Sequence, residues 1–454
     1  MDYNKVIEQQ RVFFDTHATK DVNFRIKELK RLKNVLKKNE NILFEAIYKD
    51  FKKSSYETYA TELSVIYNEI DTAIKNVKKW AKVKKKVAGL LNLPGLSYSI
   101  PEPYGTILVI GAWNYPYQLS LAPVVAAIAA GCTVILKPSE VSHHTSAMMT
   151  QLINQNFDPS FFKVIEGGVE ETTALLEVKF DKIFFTGSVS VGKIIYQAAA
   201  KFLTPVTLEL GGKSPAIITK DVNIDMTAKR LVWAKFLNAG QTCIAPDYVM
   251  VESSIQDRLL EAMKKHINSA DYKIDNDNYT QIINEKNFDR LCDLIDVNKI
   301  YFGGSTNKEE RMIAPTILTD VTFEDTIMQE EIFGPILPII TFDVVTEAID
   351  EIKKLPKPLS CYVFTKNKTV KKEILKKISF GGGAINDAMM HFTEKSLPFG
   401  GVGDSGIGSY HGKYGFDTFS HYKSIIQKPF WIELNLKYSP YSSGKMKWLK
   451  RILE

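Results

Sequence analysis

The sequence predicts an α/β fold of parallel sheets wrapped by helices, and three observations carry that expectation. From Gly105 onward, short apolar runs alternate with helical ones. A second block of the same kind extends from about Gly211 to Asp404. The polar motifs fall beside the carboxyl ends of these runs, where the ligand of such a sheet lies. A chain of 454 residues suggests about three domains. Its hydrophobic share of 45% is that of an ordinary globular protein with material for more than one core.

Residues 6 to 90 read as long helices rich in Lys and Glu, one near Val22 to Asp50 and another near Tyr56 to Lys86. Pro94 to Pro101 reads as extended, punctuated by Pro and Gly. Then Thr106 to Ile110 is a strand and Leu119 to Ala130 a helix; Thr133 to Leu136 is a strand and Thr145 to Asn156 a helix. Phe162 to Ile165 is a strand, Glu171 to Leu176 a helix, Lys182 to Phe185 a strand, Gly192 to Lys201 a helix, and Val206 to Leu208 a strand. Strands this short and apolar, joined by helical crossovers, belong in a parallel sheet buried on both faces. The second block is marked by the strand Tyr248 to Val251, the helix Ile255 to Ile267 and the strand Leu359 to Phe364. From Phe419 onward the pattern is polar-apolar, broken by Pro429 and Pro440.

Composition narrows the function. Lys and Arg number 58 against 52 Asp and Glu, a net charge of +6 that is weak evidence for a polyanionic partner, so no nucleic acid is expected. The clusters Lys75 to Lys86 and Lys445 to Arg451 read as solvated helix faces. The second interleaves Trp448, Leu449, Ile452 and Leu453 with its charges, which leaves peripheral membrane contact open. Four scattered cysteines with no CxxC or Cys/His spacing give no expected metal site. The start, Met1 to Lys5, lacks the apolar core of a signal peptide. The longest apolar stretch, Leu121 to Leu136, is interrupted by Gly131 and falls short of the ~18 to 20 residues a membrane span requires. A reducing cytoplasm is the expected home.

Two strings carry chemistry. Cys243 sits in Asn238-Ala239-Gly240-Gln241-Thr242-Cys243, and Glu209 in Leu208-Glu209-Leu210-Gly211-Gly212-Lys213. One offers a soft nucleophile, the other a carboxylate that could activate water, the pair needed to form and then hydrolyse a thioester. Asn114 follows the strand Thr106 to Ile110, which puts its amide at the ligand edge. Gly187 to Gly192 follow another strand and open a helix, an arrangement that suits an anion. Each signal alone has a plainer reading. A lone cysteine is more often a small buried hydrophobe. Asn114 alone is a turn residue, Glu209 a cap or surface carboxylate, and Phe333 a core aromatic. Lys137-Pro138-Ser139-Glu140 alone is a strand-to-helix corner capped by Ser139. Cys132, Cys292 and Cys361 have no catalytic context.

Together the strings around Asn114, Lys137, Gly187 to Gly192, Glu209, Cys243, Glu331-Ile332-Phe333-Gly334-Pro335 and Gly400 to Gly406, in that order, resemble the NAD(P)-dependent aldehyde dehydrogenase superfamily. The wording from Asn238 to Tyr248 resembles its class 3 branch, and the resemblance reaches to about Tyr422. It implies two doubly wound α/β domains, a Rossmann-like coenzyme domain (1–80 and 103–208) and a catalytic domain (209–418). A small bridging and oligomerisation element (81–102 and 419–454) would pair subunits into a homodimer. The short N-terminus agrees with a dimer, and the chain stops at Glu454 without the hydrophobic anchor of some class 3 members.

The same resemblance implies oxidation of aldehydes to carboxylic acids. Cys243 would attack as a thiolate, and Asn114 with the Cys243 backbone N–H would stabilise the alkoxide. Hydride would pass to the nicotinamide, and Glu209 would activate water against the thioester. Lys137 would bind the adenosine ribose, with Glu140 near its 2′ position; a carboxylate there favours NAD, while NADP stays open because the glutamate can swing aside. Gly187, Ser188, Val189, Ser190, Val191 and Gly192 would contact the pyrophosphate, Glu331 the nicotinamide ribose and Phe333 the nicotinamide. Tyr115, Trp233, Phe236 and Phe392 lie beside the catalytic strings, where they read either as core packing or as an apolar funnel suited to medium-chain, long-chain or aromatic aldehydes. The resemblance puts His391 near the substrate-facing loop, and Tyr115, Trp233 and His391 are the expected substrate residues. Pro398 to Gly406 reads as a close-packed structural loop. A redox-free thiol hydrolase is disfavoured by the glycine turns, a non-catalytic relative by the intact trio, and a CoA-acylating enzyme by Glu209.

Overall fold

A computed structural model describes residues 2–454. Its largest sheets have six and seven strands and are parallel except at one edge each, the mixed α/β arrangement expected. In the six-stranded sheet the order is Gly406–Ile407, Val206–Glu209, Lys182–Thr186, Thr106–Ile110, Thr133–Lys137, Phe162–Val164. The chain enters at the centre, runs outward through 133–137 and 162–164, then crosses back to 182–186 on the other side. That reversal opens a crevice past the carboxyl ends of the two central strands, the place where such sheets bind ligands. Gly111 to Asn114 and Gly187 follow those two ends. Every residue of Thr106–Ile110, Thr133–Lys137 and Lys182–Thr186 is buried, which explains their unbroken β-branched and aromatic runs.

The helix Pro116–Ala130 is buried on almost every face, with Pro116 at its first position and Gly131 ending it at φ 100. The apolar stretch from Leu121 is therefore a core helix turning into a core strand. Among the described residues no helix is long and apolar enough to cross a membrane.

The N-terminal helices differ from expectation in two places. The first breaks at Asn39, giving Val22–Lys38 and Glu40–Phe51. Asn39 Nδ2 donates to Val35 O at 2.7 Å, and its backbone at φ −118 leaves the helical region; a short amide side chain competes with the helix in this way. The second runs through Ser55–Thr58, a π turn at Tyr59–Leu63, and Ser64–Trp80. It stops at Trp80, and Lys84–Lys86 instead pairs antiparallel with Leu96–Pro103, which also pairs with Ser420–Gln427. A lysine run on an exposed edge strand guards it against stray pairing.

The seven-stranded sheet has the order Ile300–Phe302, Thr316–Leu318, Ile336–Phe342, Tyr248–Glu252, Pro215–Ile218, Ser360–Phe364, Gly382–Ile385. One later segment returns to the first sheet: Gly406–Ile407 pairs antiparallel with Val206–Glu209, Gly406 opposite Glu209, and the Leu210 N–H donates to Ser405 O at 3.1 Å. The glycine-rich run thus braces the strand that carries Glu209, as a close-packed loop should.

Candidate active site

A cavity of about 690 Å³ lies between the two large sheets. It gathers ten of the residues singled out from sequence: Asn114, Lys137, Glu140, Gly187, Ser188, Val191, Glu209, Cys243, Glu331 and Phe333. They reach it differently. Asn114, Lys137, Gly187 and Glu209 end or follow strands of the six-stranded sheet. Cys243, Glu331 and Phe333 instead precede the strands Tyr248–Glu252 and Ile336–Phe342, so the second sheet presents its amino edge. The expectation that every motif lies at a carboxyl end fails for these three.

Cys243 sits in a turn just after three residues in the left-handed region, Asn238 (φ 54), Ala239 (φ 51) and Gly240 (φ 73). Such a backbone is strained for Ala and must be over-determined by its surroundings. Asn238 supplies that constraint: its Nδ2 donates to Asn114 O (2.9 Å) and Gln241 O (3.1 Å), and its N–H donates to Glu57 Oε1 at 3.0 Å. Asn114 Nδ2 donates to Gln241 O at 3.1 Å. An amide NH₂ has two donors, so one remains for a ligand. Phe333 also has a positive φ of 52, and its ring meets Trp113 edge-on at 5.3 Å.

Charge around the sulfur is unfavourable to a thiolate. Burial pushes the Cys243 thiol well above its ordinary value, and the negative charges of Glu331 and Glu209 push it further; its own amide and that of Ile244 oppose this. Burial alone lifts the Glu209 carboxyl well above the usual range, and neither of its oxygens has a hydrogen-bond partner. Burial, then Asp247, raises Glu331 to about 8. Gly211 is needed beside it, because a Cβ there would lie 2.0 Å from Glu331 Oε2. Alkylation of Cys243 by iodoacetamide in the ligand-free protein is therefore expected to be slow at pH 7 and still rising at pH 9. Glu331→Gln is expected to speed it a few-fold at pH 9, where that carboxylate is charged. Peptide mass spectrometry against time measures both, and a wild-type plateau near pH 7 would contradict them.

The other end of the cavity suits a dinucleotide. Lys137 is buried with its Nζ 2.5 Å from Glu140 Oε2, and Glu140 is about half exposed. Ser188 caps the helix Val189–Ala200, and the first amides of a helix lack intrahelical acceptors. Val189, Ser190 and Gly192 do not line the cavity with their side chains. Val189 packs against the core beside the sheet, Ser190 is exposed, and Gly192 lets the helix approach Leu210, whose Cδ2 a Cβ would meet at 2.7 Å. The free helix amides and the buried lysine that line one end of the cavity, and the orphaned carboxylate near the sulfur, fit a nicotinamide dinucleotide.

The expected substrate walls are also outside this cavity. Tyr115 is buried, its hydroxyl 2.7 Å from Thr242 Oγ1, next to Cys243. Trp233 is exposed on the helix Ile224–Phe236. His391 lies among Ser360, Tyr362 and Phe399, and burial holds its pKa down at about 4, so it is neutral at physiological pH. Sequence reasoning missed Arg290 and Asn287, which line the cavity from the helix Glu285–Asp293. Arg290 donates to Ile332 O at 2.8 Å and so supports the Glu331 loop; no motif around it signals this.

The fold and the cavity define a class: an α/β enzyme with a cysteine at one end of a dinucleotide-sized crevice. The profile described as "Aldehyde dehydrogenase family" matches residues 1–425, and the chain belongs to that family. It is 46% identical over 453 residues to the "4,4'-diaponeurosporen-aldehyde dehydrogenase" of Staphylococcus aureus (strain NCTC 8325 / PS 47), covering 98% of each chain. It is 44% identical to "Aldehyde dehydrogenase family 3 member A2" of Rattus norvegicus, over 98% of this chain and 93% of that one, which supports the class 3 branch. The solved structure "Substrate bound state of Staphylococcus Aureus AldH" superposes with a TM-score of 0.97 at 45% identity, over 99% of each chain. The protein is an NAD(P)-dependent aldehyde dehydrogenase.

Proposed function

We propose that the protein oxidises medium-chain, long-chain or aromatic aldehydes to carboxylic acids, using NAD⁺ in preference to NADP⁺. The observation that carries this reading is the sharing of one cavity by Cys243, Glu209 and Asn114 with Lys137, Glu140 and the capped helix at Ser188. Cys243 forms a thiohemiacetal and then a thioester, Asn114 and the Cys243 amide hold the oxyanion, and Glu209 takes a proton from the attacking water. A nicotinamide dinucleotide held there would supply the hydride acceptor and a positive ring to offset the carboxylates that disfavour the thiolate. Lys137 holds the adenosine ribose, with Glu140 near its 2′ position. The backbone from Gly187 to Gly192, Val189 and Ser190 included, faces the pyrophosphate, with Ser188 and Val191 against the cofactor. Glu331 holds the nicotinamide ribose and Phe333 packs on the ring.

The aldehyde approaches past Tyr115, Trp233 and His391. That route is supported by the Tyr115 contact beside Cys243 and the exposed Trp233 ring. Preference for long chains is supported by the staphylococcal relative, which is named for 4,4'-diaponeurosporen-aldehyde. We assign residues 1–80 and 103–208 to a coenzyme domain, 209–418 to a catalytic domain, and 81–102 with 419–454 to a bridging element. Segment 406–407 nevertheless hydrogen-bonds across that boundary to the first sheet. The protein works as a homodimer in the cytoplasm; exposed Val87, Leu90, Phe430 and Trp431 on the bridging element support the pairing of subunits. Met446, Trp448 and Leu453, exposed beside the basic residues of the helix Ser443–Leu453, support peripheral membrane contact.

The test is reduced-nicotinamide absorbance with a graded aldehyde series, NAD⁺ or NADP⁺, and no CoA. Activity should rise from short to long or aromatic aldehydes. Glu140→Gln is expected to raise kcat/KM with NADP⁺ on the order of tenfold while changing NAD⁺ kinetics little, because it removes a charge near the 2′ position. A preference for short charged semialdehydes would overturn the substrate reading, and no reduction with any aldehyde would overturn the whole.

A further inference from the structure

The N-terminal helices carry a buried ion pair that the reaction as described does not use. Lys53 and Glu62 are both fully buried, with Nζ 3.1 Å from Oε1. Lys53 lies just after the helix Glu40–Phe51, and Glu62 is turned inward by the π turn Tyr59–Leu63. Such π turns are rare and occur frequently at functional sites. Both charges converge on the segment that carries Asn114. Lys53 Nζ donates to Asn114 O at 3.4 Å and sits 4.5 Å above the Tyr115 ring. Glu62 Oε2 accepts the Tyr117 N–H at 2.8 Å and the Gln118 N–H at 3.4 Å. Those are orphan amides of the helix Pro116–Ala130, whose own N-cap residue, Tyr115, makes no side-chain cap. Asn114 O also accepts from Asn238 Nδ2, on the loop leading to Cys243.

We propose that Lys53 and Glu62 are positioning residues for Asn114: the pair locks the backbone on both sides of it, so that the Asn114 amide is held at a fixed angle to the sulfur-bearing loop. This rests on Asn114 being the oxyanion donor. Stability alone is a poor reason for the pair, because apolar residues of the same volume commonly serve a core as well as a buried ion pair does. A donor that must meet a developing charge gains from being fixed in advance, and misplacement by an ångström can cost about 10²-fold in rate.

The test is a double-mutant cycle on the full-length enzyme. Glu62→Gln keeps the shape of the side chain and is expected to lower kcat between about 10- and 10²-fold, with KM for NAD⁺ unchanged. Asn114→Ala is expected to lower kcat about 10²- to 10³-fold. The deciding result is the combination: adding Glu62→Gln to Asn114→Ala should cost little more. Multiplying losses would assign the pair a general structural role and overturn the inference, as would a Glu62→Gln enzyme of full activity. If Asn114→Ala alone keeps full activity, the oxyanion reading falls first and takes this inference with it. Should Glu62→Gln fail to fold, Lys53→Met with Glu62→Gln removes both charges of the pair and serves in the same cycle.

Discussion

Cys243→Ser is expected to reduce aldehyde oxidation by on the order of 10³-fold or more while leaving the fold and dinucleotide binding intact. The substitution removes one atom's polarisability and little volume. A serine hydroxyl ionises far less readily than a thiol and needs an adjacent base. No histidine lines the cavity among the described residues, and neither oxygen of Glu209 has a hydrogen-bond partner, so no base is in contact with position 243. The serine would therefore sit as an inert alcohol beside the carbonyl. Trp113 lines the same cavity and packs on Phe333, so quenching of its fluorescence by NAD⁺ provides the binding control. The other three cysteines are no substitute: Cys132 and Cys361 are fully buried in the cores, and Cys292 lies outside the cavity. Undiminished turnover in the serine variant would dismantle the proposed chemistry.

The legible part of the site is the part fixed by strand ends. Asn114, Lys137, Gly187 and Glu209 follow or end short buried strands whose β-branched runs mark them, so the sequence places each at one sheet edge. Cys243 and Glu331 were legible as motifs but not as positions, since nothing local says that the second sheet meets the first with its amino edge. The N-terminal helices were legible as helices and illegible in detail. Their Lys- and Glu-rich pattern reads as solvated surface, yet Lys53, Glu57 and Glu62 face inward on the chain around a π turn. A charge is recognised as buried only through a partner distant in sequence, here the amides of Tyr117 and Gln118. Arg290 is hidden for the same reason. The substrate walls rest on adjacency to motifs: Tyr115 lies outside the cavity that Asn114 lines but touches Thr242 beside Cys243, and Trp233 is exposed.

Glu209→Gln is expected to lower steady-state turnover by about 10² to 10⁴-fold, yet to leave a burst of reduced nicotinamide close to one equivalent per site. The glutamine can neither take a proton from water nor add charge near the sulfur, so acylation proceeds and the thioester accumulates, visible as an acyl adduct on Cys243 by intact-protein mass spectrometry. Burial is what makes Glu209 a base worth using. A carboxyl lifted above its ordinary value holds a proton more tightly once it has one, and the cost is borne by the fold. The sign follows from linkage. The unfolded chain titrates this group near 4.5 and the folded protein well above it, so between those values the folded state binds more protons. Stability therefore falls as pH rises through that window. Glutamine does not titrate and escapes the penalty. The variant should match the wild type in Tm near pH 4.5 and exceed it increasingly towards pH 9, as a residue held for activity at the expense of stability would. A full steady-state rate would remove Glu209 from the reaction. A Tm difference that shrinks with rising pH would show that burial does not raise this carboxyl in the folded protein.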